Sequence, residues 1–318
     1  MKHVFVFNPK SFAQKIQMDY IVDTIGQFFR KQKRPHFSIQ ISHFPRDAIG
    51  IIKREVTTAD ENETVRVYAV GGDGILFDCL NGIVGLPNME LAAIPYGKTN
   101  DFIRMFGADK IPLFRNIGAL ASAKALPTDV IAFGSNYAIN TLTVGIESLA
   151  VVNMSNFSRK YTGLLNRFNF LYNFFFTISG SIALFDHDVL FQRYNIIIDN
   201  VDFSGEYSGI NIANGPCYGG NKSAVPIARP DDGILHTLLF KPLGAIGTLF
   251  VLPSYLKGKT PSNCKLVQAK KLEIRSDLPL QIQADGEIFF DTNITIEVKP
   301  AAVQFVAVDN LTYGKAEG

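Results

Sequence analysis

A chain of 318 residues with 47% hydrophobic content is long enough for two ordinary domains, each burying its own core. Its 31 basic and 29 acidic residues nearly cancel to a formal +2, so no global positive field favours nucleic acid as a partner. The three cysteines, Cys79, Cys217 and Cys264, are odd in number and form no C-x-x-C pair, which argues against a disulfide framework or zinc site and fits a reducing cytoplasm.

Residues 4–7 are too few for a signal-peptide core and run into Asn8-Pro9, so they read as a first buried strand. Strand-like runs follow at 37–41, 65–70 and 91–94, separated by helix-like segments, the alternation of a parallel sheet wrapped by helices. In the first such segment Ile21, Ile25, Phe28 and Phe29 recur at i, i+4, i+7 and i+8 and predict a helix face that covers the sheet. Its end carries Arg30, Lys31, Lys33 and Arg34, read either as the cations a helix C-terminus favours or as a patch for an anionic bilayer.

After Leu126-Pro127 the chain becomes β-rich, with strand-like runs at 137–144, 194–198, 234–240, 270–275, 280–283 and 294–298. The expected organisation is an α/β domain over 1–127 and a β-rich domain over 128–318, the last strand and tail being able to pack back on the first domain. The most apolar stretch, 161–180, contains Asn166, Arg167, Asn169 and Asn173, costly in hydrocarbon, and is not read as transmembrane. Its Phe-rich part, 168–176, reads as an internal helix packed on the second domain, or else as a wall for an acyl chain or a membrane-facing lip. No repeat or low-complexity tract occurs.

The strand 65–70 ends in Gly71-Gly72-Asp73-Gly74, and Leu76, Phe77, Leu80 and Val84 then suggest a helix. Strand, glycine turn and helix form a phosphate-binding grammar, since glycine lets backbone approach an anion and the helix start offers free N–H groups. Asp73 would be repelled by polyphosphate unless it acts through Mg2+ or the ribose hydroxyls. The plainer alternative is a tight turn with Asp73 capping the helix. A second loop, Pro95-Tyr96-Gly97-Lys98-Thr99-Asn100-Asp101-Phe102, also follows a strand. Ligands of open α/β sheets bind beyond the carboxyl ends of the strands, so the two loops can converge on one crevice. Lys98 could meet phosphate and Asp101 a metal or substrate hydroxyl, or Asn100 and Asp101 cap the next helix.

These segments, followed by Asn214-Gly215-Pro216-Cys217-Tyr218-Gly219-Gly220, by Asp231-Asp232-Gly233 and by Asp285-Gly286-Glu287, resemble the bacterial diacylglycerol kinase-like lipid kinases over nearly the full length. That catalytic domain is shared with sphingosine and ceramide kinases. Each motif is weak alone; in this order and at these separations they are specific. The resemblance implies an α/β N-terminal nucleotide-binding domain plus a β-rich, sandwich-like C-terminal domain for the lipid, with the active site in the interdomain cleft. It implies ATP contacts at Ser42, at Gly71, Gly72, Asp73, Gly74, Ile75, Leu76 and Phe77, and at Lys98, Thr99, Asn100 and Asp101. Asp232, with main-chain oxygens of Arg229 and Ile234, falls on the family's Mg2+ site, and Asp285 and Glu287 on the pair that holds the catalytic base. The implied reaction converts diacylglycerol to phosphatidic acid with ATP, on lipid presented at a membrane surface. The implied setting is cytoplasmic, peripheral at the inner membrane face.

Three positions depart from the family pattern: Ile75 replaces a threonine, Phe12 a glycine, and Lys98-Thr99 a Thr-Gly pair. The missing hydroxyl at Ile75 removes a hydrogen bond worth about 0.5–1.5 kcal/mol, which Lys98 could offset electrostatically. In a strand, Asp285 and Glu287 would share a face and raise one another's pKa; alternatively Asp285-Gly286 is a hairpin turn with Glu287 exposed beyond it. The five histidines show no metal-ligand spacing, and no G-x-S-x-G elbow occurs. An NAD kinase-like enzyme and a lipid-binding homologue with impaired catalysis remain the competing readings.

Overall fold

The computed structural model describes residues 1–12, 14–31, 36–60, 62–160, 186–219, 225–255 and 257–314. The apolar stretch 161–180 with its Phe-rich part 168–176, together with Lys33, Arg34 and Gly220, lies outside the described residues.

Strands β1 (Lys2–Phe7), β2 (Phe37–Ile41), β3 (Val65–Gly71) and β4 (Met89–Pro95) form a parallel ladder in the order β4-β3-β1-β2. β1 and β3 are buried along their whole length, as a parallel sheet covered on both faces requires. Helix α1 (Lys15–Arg30) buries Ile21, Ile25 and Phe29, the face its spacing predicted. Helices α2 (Asp47–Thr57) and α3 (Asp73–Ile83) pack on one another closely enough that a Cβ on Gly82 would lie 2.8 Å from the Ile52 side chain.

The second half contains β5 (Ala125–Phe133), β6 (Asn136–Ala138), β7 (Thr141–Gly145), β8 (Gln192–Ile198), β9 (Val201–Asp202), β10 (Gly205–Tyr207), β11 (Gly209–Ala213), β12 (Leu235–Phe240), β13 (Cys264–Ala269), β14 (Lys271–Ala284) and β15 (Glu287–Val306). The run β13-β12-β11-β7-β14-β15 is antiparallel throughout. β8 alternates buried and exposed residues, sending Tyr194, Ile196 and Ile198 into a core with Leu142, Ile212 and Leu272. The chain is thus an α/β N-terminal domain followed by a β-rich, sandwich-like one.

Two features of the long strands position the site. β15 spans 20 residues: it begins antiparallel to β14, and its end, Gln304 and Phe305, pairs in parallel with Glu90 and Leu91 of β4. Val303, Phe305 and Val306 accordingly belong to the core of the first half, so one strand ties both halves into a continuous sheet. The boundary expected at 127 falls within β5, which pairs with β15 along both halves. The strand expected over 137–144 is instead broken, β6 ending at Ala138 and β7 beginning at Thr141. The break turns the N–H groups of Ile139 and Asn140 away from ladder partners and onto the carboxylate of Asp285.

Candidate active site

The two glycine loops meet backbone to backbone. Gly71 O accepts hydrogen bonds from Tyr96 N and Gly97 N, at 2.7 and 3.0 Å. A Cβ on Gly97 would stand 2.3 Å from the Gly72 Cα, so only glycine permits this approach. Asp73 then fastens the junction: its Oδ2 accepts from Thr99 Oγ1 at 2.6 Å and its Oδ1 from Asp101 N at 2.8 Å. Asn100, at φ 51, folds its side chain back, accepting from Gly97 N and donating to Gly97 O. Asp101 carries the linkage across the chain, its Oδ2 accepting from Gly219 N at 2.9 Å.

Asp285 and Gly286, at φ 47 and 92, form the two-residue turn between β14 and β15. The hairpin reading therefore holds for the backbone, and the same-face strand geometry does not apply. Both carboxylates nonetheless reach one cavity. Asp285 accepts hydrogen bonds from Ile139 N, Asn140 N and Thr141 N at 2.6, 3.1 and 2.9 Å. Burial pushes its carboxyl up to about 7 against the lowering effect of those bonds, and the charge of Asp73 adds to the rise. Glu287 is raised above the usual carboxylate range by burial and by Asp78, with Arg46 opposing. Its carboxylate takes no hydrogen bond from a described residue. Burial also raises Asp73.

These groups border two cavities. The larger, of about 260 Å³, is lined by Asp73, Thr99 and Asp101 of the first half and by Asn140, Asp285 and Glu287 of the second, among others. The smaller, of about 200 Å³, lies over the ends of β1 and β2 and the start of α3, with Asn8, Lys10, Ser42, Ile75 and Asp78 in its wall. Gly74 and Glu287 line both. A Cβ on Gly74 would lie 3.0 Å from Glu287 Oε1, so the two residues shared by the cavities approach each other closely where the cavities adjoin.

Several expected residues stand elsewhere. Ser42, Gly74 and Ile75 line the smaller cavity, whereas Asp73, Leu76, Thr99 and Asp101 line the larger. Asp73 has both oxygens engaged by the second loop while it lines the larger cavity, so it holds the two loops together. Phe77 is fully buried in the second-half core beside Phe289, so its side chain packs and cannot touch nucleotide. Gly71, Gly72 and Asn100 shape the loops without lining either cavity, and Lys98 is exposed and lines neither.

The implied Mg2+ site has one side-chain ligand, Asp232, the other two being main-chain oxygens of Arg229 and Ile234, so its fit turns on that carboxylate. The Asp232 oxygens are taken by Ile234 N at 3.0 Å and His236 Nε2 at 3.1 Å, while Arg229 pairs with Asp231. Among the described residues no group of three or more His, Cys, Asp or Glu side chains could hold a metal.

Sequence reasoning missed Arg46, Asp78, Ile139 and Asn140. Arg46, left-handed at φ 70, donates its N–H to Asp78 Oδ2 at 2.9 Å and lays its guanidinium over Phe77 and Phe289 at 4.6 and 5.4 Å. An acid inside the apolar run 75–80 was the visible signal for Asp78. Ile139 and Asn140 act through backbone and left none.

Two domains in this order, with glycine loops and acids on adjoining cavities, are the features to set beside known proteins. The "Diacylglycerol kinase catalytic domain" profile matches residues 2–133, and the "YegS C-terminal NAD kinase beta sandwich-like domain" profile matches residues 171–307. The chain belongs to the diacylglycerol kinase-like lipid kinase family. It is 26% identical over 281 residues to the curated "Putative lipid kinase" of Staphylococcus aureus strain Mu3, covering 87% of this chain and 88% of that one. A crystal structure titled "a putative diacylglycerol kinase from Bacillus anthracis" matches with TM-score 0.72 at 19% identity, and a second from that organism with 0.68 at 18%, each covering 98% of both chains. At such identities the structural matches speak for the fold.

Proposed function

We propose that this lipid kinase transfers the terminal phosphoryl group of ATP to the hydroxyl of diacylglycerol, giving phosphatidic acid. The observation that carries the reading is that Gly74 and Glu287 line both the cavity at the α3 N-terminus and the acid-rich cavity lined by both halves. Phosphoryl transfer needs donor and acceptor in line across a short gap, and two adjoining cavities that share Gly74 and the Glu287 carboxylate support that arrangement.

In this reading ATP phosphates lie against the first turn of α3, whose free N–H groups favour anions, with Lys10 and Ser42 in the same wall. Magnesium accompanying the nucleotide supplies charge neutralisation when bound. The lipid hydroxyl enters the larger cavity. Glu287, hydrogen-bonded by no described residue and raised by burial, accepts the hydroxyl proton as the oxygen attacks. Asp285, held by three backbone donors, fixes the acceptor end. Asp73 and Thr99 keep the two loops at one spacing.

Radiolabelled ATP offered with diacylglycerol, sphingosine or NAD in separate reactions tests the assignment. Label in phosphatidic acid is the expected result. Label in NADP alone, or in no product while ATP still stabilises the protein against heat, overturns it.

A further inference from the structure

The helix Gly244–Tyr255 contains no charged residue, and one side of it faces solvent. Leu243, Ile246, Leu249 and Phe250 follow at i, i+3, i+6 and i+7, a single helical stripe, and Ile246 and Phe250 are 72% and 82% exposed. Scattered apolar residues on a surface are ordinary; a contiguous apolar stripe on an uncharged helix is not. Along the chain its flanks carry one sign of charge, and the short helix His187–Leu190 packed against it brings Asp186 and Asp188. From residue 241 to residue 272 the chain has six lysines and no Asp or Glu. Lys257 and Lys259 are exposed just beyond the helix. Lys241, just before the helix, and Lys265 lie over the rings of Tyr207 and Phe203, at 4.2 and 4.6 Å, which fixes their ammonium groups.

The stripe is also rooted in the wall of the larger cavity. Tyr255 OH donates to Glu147 Oε1 at 2.8 Å and accepts from Asn211 Nδ2 at 2.9 Å. Glu147 opens the helix Ile146–Lys160, whose Val151 lines that cavity. Tyr255 shares a buried cluster with Tyr218, which lines it too.

We infer that the helix Gly244–Tyr255 docks this chain on an anionic bilayer, its apolar stripe entering the headgroup boundary and the neighbouring lysines meeting lipid phosphates. An apolar stripe alone would fit a second copy equally well. The lysines that flank the helix along the chain, Lys241 before it and Lys257 and Lys259 after it, select the bilayer, since two such flanks would repel, whereas each lysine near an anionic surface strengthens binding about fivefold. The inference deepens the lipid-kinase reading by naming where the substrate's membrane sits, and it rests on that reading for the substrate alone.

The test is flotation of the full chain, without ATP, on phosphatidylcholine vesicles with and without phosphatidylglycerol. Binding is expected only with phosphatidylglycerol. Ile246→Ser with Phe250→Ser is expected to weaken it by about tenfold or more, Lys257→Glu with Lys259→Glu comparably, and Phe290→Ser, exposed on β15, to leave it unchanged. Vesicle binding absent in the wild type, or equal in the Ile246/Phe250 variant, overturns the inference. So does a wild-type dimer that this variant dissolves. Phosphorylation of a short-chain, detergent-dispersed diacylglycerol is measured beside it. Activity retained there without vesicle binding sinks the docking surface and spares the kinase; vesicle binding without activity does the reverse.

Discussion

Two Asp-Gly turns in the second half share a local sequence and differ in everything around it. Asp232-Gly233 is held by its neighbours: the Asp232 carboxylate accepts from Ile234 N two residues away and faces His236 four residues away. Asp285-Gly286 is held from a distance, by N–H groups of Ile139, Asn140 and Thr141 some 145 residues earlier in the chain. The first is a turn that satisfies itself. The second imports its donors from another strand pair, loses its water, and has its carboxyl pushed up to about 7 by burial. Long-range donors, more than the Asp-Gly pair, mark a turn that belongs to a site.

The sharpest way to break this contrast is to neutralise the acids. Asp285→Asn and Glu287→Gln are expected to lower turnover by about 10²–10⁴-fold, the usual worth of a positioned acid or base. ATP should still raise the melting temperature of both, because the smaller cavity is intact in the first and loses one wall charge in the second. Turnover within a few-fold of wild type in both variants would remove the acids from the mechanism.

Next in size comes the loop junction that brings Asp73 beside Asp285. Gly97→Ala puts a methyl group against the Gly72 backbone, and neither strand end can yield without moving Asp73 or Thr99. The expected cost is about 1–3 kcal/mol of stability, read by denaturant unfolding, with a further loss of turnover at temperatures where the variant stays folded. An unchanged midpoint and rate would show that the loops do not need this approach.

The pH dependence sharpens the contrast through opposite signs. The Asp285 carboxyl is raised in the folded chain, so its contribution to stability is complete below the ordinary carboxylate range and lost as pH rises toward about 7. Activity moves the other way, because only the ionised carboxylate accepts all three backbone donors. Thermal stability is therefore expected to fall over the interval in which turnover climbs, and Asp285→Asn to flatten the stability profile there. A wild-type stability profile without that slope would contradict the assigned burial.

What the residues disclosed follows the range of the forces involved. β1, β3 and β4 were legible because continuous apolar runs are what a doubly covered parallel strand demands, and α1 because its buried face repeats at helical spacing. The two glycine loops were legible as a pair. The length of β15 was not: residues 299–303 carry lysine, proline and alanines, and only pairing with β4 and β5 carries the strand through them. Nor was the interruption at Ile139 and Asn140, since its cause is a carboxylate from the far end of the chain. Asp285 and Glu287 were singled out on motif and on a strand geometry that the turn replaces; they share a cavity because the turn aims both inward.

The smallest expected effect lies at the other turn. Asp232→Asn keeps a carbonyl oxygen able to accept from Ile234 N, and its new amide can donate to His236 Nε2 if that nitrogen is the bare one, so both local contacts have a replacement. The charge it removes sits on the partly exposed member of the pair, whose partner His236 is buried, and at such a site an ion pair is worth about 0–1 kcal/mol. Stability is expected to shift within that range and turnover within about twofold, because neither cavity includes Asp232. A loss of turnover restored by excess Mg2+ would instead reveal a cation held at this turn, and the division between a self-satisfied turn and a site-forming one would then have to be drawn on ligand binding in place of donor distance.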